Sequence, residues 1–208
     1  MNTSIRIAVA AAASIVVIGT AAACSDDSSS SDHASSSAMS MPSGSASIPA
    51  SASFNAADVM FDQMMIPHHQ QAVEMAKLVP SRTTNERVRA LATAIEGAQQ
   101  PEIDQMTAAL QAWHQPTSMP SDGGHGGHGG HSMSGMMNDD QMNELKTLSG
   151  SAFDTMWLRM MVEHHQGAIE MAQTELAQGK DPATKALAQS IIDAQQKEIA
   201  QMRSMLPQ

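Results

Sequence analysis

The chain has 208 residues, enough for one domain with extensions, and a net charge of -10. That acidity leaves no basic patch to neutralise phosphates and excludes a nucleic-acid partner. A single Cys excludes a disulfide framework and a thiolate metal cluster. The unusual holdings are nineteen Met and nine His, beside two Trp, three Phe and no Tyr.

Residues 1–23 read as an export signal. Arg6 precedes an apolar run from Ile7 to Ile18, and Ala21-Ala22-Ala23 supplies a small-residue cleavage site. The run is too short to span a bilayer. Cys24 follows directly and resembles a lipobox cysteine, lipidated to become the mature N-terminus, although Ala21 stands where Leu is commoner. The expectation is a lipoprotein at the outer face of the cell membrane or in a periplasm-like space. Residues 24–53 are Ser, Ala and Asp with scattered Pro and Gly, too polar to bury a core, and read as a disordered tether.

A domain is predicted over 54–206, and it is built twice. MFDQMMIPHHQQAVEMA (Met60 to Ala76) returns as MWLRMMVEHHQGAIEMA (Met156 to Ala172). The same offset carries Ala98-Gln99-Gln100 onto Ala194-Gln195-Gln196, and Glu102 onto Glu198. An ungapped match of this length is an internal duplication. The first helix is expected from the cap Asn55, with Asp58 in its first turn, to Val79, where Pro80 should end it. The second should run from the cap Asn85 to about His114, with Pro101 inside. A short helix is expected over 138–148. The second copy should start at the cap Ser151 with Asp154, and its partner helix should run from Asp181-Pro182 to about Leu206. Two hairpins that cannot bury their stripes separately pack as one all-α four-helix bundle with approximate two-fold symmetry.

On a helical wheel Met64, His68 and Met75 fall within about 40° of one another, and Met65 and His69 form an i,i+4 pair on the flank. Met160, His164 and Met171, with Met161 and His165, repeat this. Thioether with imidazole is a soft ligand set, selective for Cu(I) and, by the same softness, Ag(I). Oxygen clusters for Mg or Ca are absent from the pattern. Glu102 and Glu198 stand at the margins of the partner helices' apolar faces, where each could hold one imidazole nitrogen and leave the other for metal.

The connection over 115–137 holds His125, His128 and His131 on Gly spacers, followed by Met133, Met136 and Met137. Such a flexible imidazole set suits Cu(II), Ni(II) or Zn(II) in exchangeable binding.

The motif from Asp58 to Ala76, and again from Asp154 to Ala172, is similar to the pattern D-x-x-F/M, M-I-P-H-H-x-x-A-V-x-M-A of the bacterial "domain of unknown function 305" family. That resemblance implies an exported, ferritin-like four-helix bundle, and association with copper binding and tolerance in some members. By position it implicates the same ten Met and His residues. Departures are Glu163 for the motif proline, Gly167 opposite Gln71, and Pro101.

The sequence therefore points to a copper-binding module rather than an enzyme, serving buffering, tolerance or delivery, with a copper-handling protein as a conceivable partner. One alternative is a Met-rich adaptor gripping a partner protein without metal. The other is a ferritin-like di-metal oxidoreductase, which needs Glu-x-x-His motifs that the repeats lack.

Overall fold

In a computed structural model, the structure describes residues 52–119 and 133–207. The predicted signal, the tether up to residue 51 with Cys24, and His125, His128 and His131 lie outside these residues. Five helices follow in order: α1 (Ala56–Arg82), α2 (Glu86–Ala112), α3 (Asp139–Thr147), α4 (Gly150–Gln178) and α5 (Pro182–Met205). The described part is all-α, with α1 packed along α2, α4 along α5, and the two hairpins joined chiefly through α1 and α4. None of these helices is long and apolar enough to cross a membrane.

The helix starts follow local chemistry. Asn55 accepts from the amides of Ala57 and Asp58, while Asp58 accepts from the Asn55 amide at 2.6 Å. This reciprocal box satisfies amides that the first turn leaves free. Asn85 and Asp181 cap α2 and α5 as expected, and Asn138 caps α3.

Two boundaries differ from expectation. Pro80 does not end α1, which continues to Arg82 and closes with the Thr83 amide on the Val79 carbonyl. A proline so close to a helix end forfeits only one backbone bond. The second copy starts at the cap Ser149, two positions before Ser151, and without a side-chain cap bond. Gly150 takes φ +59, a left-handed conformation natural to Gly, and lets the chain leave α3 and enter α4 within a few residues.

The repeated acids tie the hairpins together. Asp58 accepts from the amides of Lys180 and Asp181 at 2.9 Å each, fastening the start of α1 to the α4–α5 turn. Its counterpart Asp154 accepts from the Asn85 side chain at 2.9 Å, fastening α4 to the α1–α2 turn. Between them, the Trp157 indole donates to the Met75 carbonyl at 3.0 Å in the interior. Trp157 and Phe153 are fully buried against Met75, Met160 and Met161.

Candidate metal centre

Helices α1 and α4 cross with their His-His pairs facing each other. His68, His69, His164 and His165 are all 0% exposed. The rings of His68 and His164 stack across the pseudo-two-fold axis, with centroids 3.7 Å apart and planes tilted by 38°. The His164 and His165 centroids are 6.4 Å apart.

The flanking hydrogen bonds fix where the ring protons sit. His69 Nε2 is 2.8 Å from Glu102 Oε2, and His165 Nε2 is 2.7 Å from Glu198 Oε2. A carboxylate accepts, so each Nε2 carries the proton. His68 Nε2 lies 3.2 Å from the Ser134 carbonyl, which also can only accept. In all three residues the remaining Nδ1 is buried without a partner, and in His164 both ring nitrogens are. Burial pushes the His68 pKa from 6.5 down to about 3, with the neighbouring imidazoles adding to the shift. Burial likewise holds His164 well below 6.5 and lowers His165 against the opposing pull of Glu198. These groups are held neutral at pH 7, with lone pairs directed into the interior. Metal-bound imidazoles take this form, the far nitrogen donating to a carboxylate or carbonyl.

The ten Met and His candidates are not drawn to one point. Met75, Met160 and Met161 join one core cluster. Met65 is buried in the other cluster, with half-buried Met171 packed against it. Met64 is half-buried and lines a surface groove with Met171. Among the described residues, no group of three or more His, Cys, Asp or Glu is arranged to hold an ion. An ion in the bundle would therefore have few ligands, a condition that suits a soft ion taking imidazole and thioether together.

Residues 133–137 form a strap across the α1–α4 junction. Beyond its bond to His68, Ser134 donates from Oγ to Glu170 at 2.6 Å. Gln71 grips the Met137 backbone twice, at 2.8 Å each. Met137 is core, whereas Met133 and Met136 are half-buried. Gly167 makes this crossing possible, because a Cβ there would stand 1.9 Å from the Ser134 carbonyl oxygen. The departure from Gln71 to Gly167 thus has a physical cause.

Sequence reasoning missed the strap and a pair of interior acids. Asp62 and Glu175 are each 1% exposed; no donor reaches the Asp62 carboxyl, and Glu175 is hydrogen-bonded to the Asp58 side chain. Burial raises both pKa values to about 8, and the Asp58 charge adds to each. The repeat alignment carried a signal for them, since Asp62 falls on Leu158 and Glu175 on Val79.

Comparison with known proteins accords with this arrangement. Residues 58–206 match the profile of the domain of unknown function DUF305. A crystal structure of a DUF305 protein of Streptomyces coelicolor, assigned as secreted, is 36% identical with a TM-score of 0.63, covering 70% of this chain and 89% of that one. CopM in its Cu(I)-bound form is 30% identical with a TM-score of 0.59, covering 71% of this chain and 93% of CopM. CopM is also known in Cu(II)-bound and Ag-bound forms. An uncharacterised protein of Acanthamoeba polyphaga mimivirus is 46% identical over 46 residues, a match spanning only 30% of its length. With the family profile over most of its length, and the duplicated His-His bundle that the structure displays, the chain belongs to the DUF305 family.

Proposed function

We propose that this protein captures Cu(I) outside the cytoplasm, binding it as cargo for buffering, tolerance or delivery rather than for catalysis. One observation carries the reading: four buried imidazoles whose Nδ1 atoms have no partner, three of them oriented by an acceptor at Nε2. An unpaired polar atom in the interior costs about 1–3 kcal/mol, so four together ask for a ligand. Neutral imidazole with nearby thioether selects soft monovalent ions. The copper- and silver-bound forms of CopM support the same class of cargo. His69 and His165 are fixed by Glu102 and Glu198, while His68 and His164 form the central stack. His125, His128 and His131 in the connection add a second, exchangeable store for Cu(II) or Zn(II). A lipid on Cys24 would hold the protein at the membrane surface.

An anaerobic Cu(I) titration of the protein against a competing chelator tests this. Tight binding should be lost when His68, His69, His164 and His165 are changed to Ala, and should survive deletion of Gly123 to His131. Binding lost only on the deletion would move the site to the connection. No binding by the parent would end the copper reading.

A further inference from the structure

Two apolar cores fill the bundle, and a polar layer parts them. Every long helix crosses that layer. Helix α1 leaves one core at Met65 and enters the other by Ala72, with His68 and His69 between, and α4 repeats this around His164 and His165. On α2 the residue between the cores is Gln99, midway from Ile95 in one to Ile103 in the other. On α5 it is Gln195, midway from Ile191 to Ile199. Four residues make about one helical turn, so each Gln shares the buried stripe of its isoleucines.

Both amides are interior. Gln99 is 2% exposed and Gln195 is 3% exposed, and in both Oε1 is buried with no donor. Gln99 stands three positions before Glu102, which holds His69, and Gln195 three before Glu198, which holds His165. Three residues advance a helix by about 4.5 Å, a distance that an extended Gln side chain covers. A core Gln is ordinarily paired, yet here the same unpaired oxygen recurs at the repeat offset. Among the described residues, the unpartnered atoms of this layer are chiefly lone pairs: Nδ1 of His68, His69 and His165, one ring nitrogen of His164, and the two Oε1 atoms. The donors left over are Gln99 Nε2 and the other ring nitrogen of His164. A surplus of buried acceptors favours a positive guest. The imidazoles alone give an ion few ligands, and the amide oxygens make up the number.

We propose that Gln99 and Gln195 belong to the copper site and set the oxidation states it holds: each turns its amide oxygen to an ion on the imidazoles of its own hairpin, so that the site keeps Cu(II) as well as Cu(I). This rests on the copper reading. Imidazole with neutral oxygen is a harder donor set than imidazole with thioether, and Cu(II) takes nitrogen and oxygen together. A weak amide oxygen is one of the ligands by which proteins tune copper between its two states. Glu102 and Glu198, one beside each His pair, supply charge that offsets a divalent ion.

The test measures Cu(I) and Cu(II) affinities separately by chelator competition, the first without oxygen. It uses the full chain with His125, His128 and His131 changed to Ala, so that the connection adds no imidazole. In that background Gln99→Leu/Gln195→Leu should lower Cu(II) affinity at least tenfold more than Cu(I) affinity. The Cu(II)/Cu(I) potential then rises by at least about 59 mV, the equivalent of tenfold for one electron. Gln99→Met/Gln195→Met, which exchanges amide for thioether, should lose Cu(II) alike and keep Cu(I), which shows that the site still folds. Thermal melting of the metal-free Leu variant should give a Tm no lower than the parent's, since the change removes unpaired amides. Unchanged Cu(II) affinity, or equal loss of both ions in both variants, would overturn the proposal and leave the copper reading standing. A parent that binds Cu(I) and not Cu(II) would do the same. A parent that binds neither would end the copper reading, and the proposal with it.

Discussion

Each repeated His-His pair divides its labour. The second member, His69 or His165, is gripped by a Glu one helix away, and the first, His68 or His164, meets its twin across the axis. Groups that orient a ligating imidazole commonly change metal affinity by 10–100-fold. Glu102→Gln with Glu198→Gln should therefore weaken Cu(I) binding by about that factor in a chelator competition while leaving the helical circular dichroism intact. Weakening equal to that of the four-His variant would make the carboxylates ligands themselves. This pairing was legible in the sequence, because an acid at the margin of an apolar stripe, twice at the same offset, asks for a partner. Which His it would meet was not legible, because a helical wheel gives direction along one helix and not the rotation of the neighbour that faces it. The thioethers show the same limit: Met64 and Met75 share a strip on α1, yet one reaches the open groove and the other the core beneath α3.

Among the elements, the helices were legible from period, caps and duplication, and the strap was not. A Ser-Gly-Met-Met segment after a Gly-rich run carries no periodic signal, and its course is set by contacts far away in sequence. Its seat can be removed. A side chain at position 167 collides with the Ser134 carbonyl, so Gly167→Ala should cost about 1–3 kcal/mol, as overpacking does. Differential scanning calorimetry would show the fall in Tm. The His68 ring, freed of its acceptor, should lose its fixed tautomer in nitrogen-15 spectra. A normal Tm would mean that the crossing yields more easily than the close approach implies. Pro80 teaches a related lesson: one missing amide near a helix end is a small loss, and the packing of Val79 in the core keeps the turn.

For the whole molecule, two sets of interior groups give stability a peaked dependence on pH. His68, His164 and His165 have native pKa values below the ordinary 6.5. The unfolded chain therefore binds more protons below pH 6.5, and their contribution is lost on acidification. Asp62 and Glu175 are raised from 3.8 and 4.5 to about 8. The native state therefore keeps protons that the unfolded chain has released, and their contribution is lost as pH rises through 8. Below 6.5 three His oppose two carboxyls. Between 6.5 and 8 only the carboxyls act, so Tm of the metal-free protein should peak near pH 6.5. Asp62→Leu/Glu175→Val should remove the decline above the peak, and a decline that persists would point to other groups. The proposed membrane attachment is tested at the same scale. Mass spectrometry of the native protein should find an acylated Cys24 at its N-terminus, and Cys24→Ser should release the protein into the medium.

Complete burial of the four His also makes capture a question of time. An ion cannot reach Nδ1 of a ring that is 0% exposed until the helices part or the strap lifts, so encounter alone does not set the rate. The observed rate of loading should rise with copper at first and then level off at the opening rate, a saturation that simple collision would never show. The same barrier delays escape. A bound ion would stay through brief falls in external copper, and its lifetime would be read from the opening of the bundle rather than from its affinity.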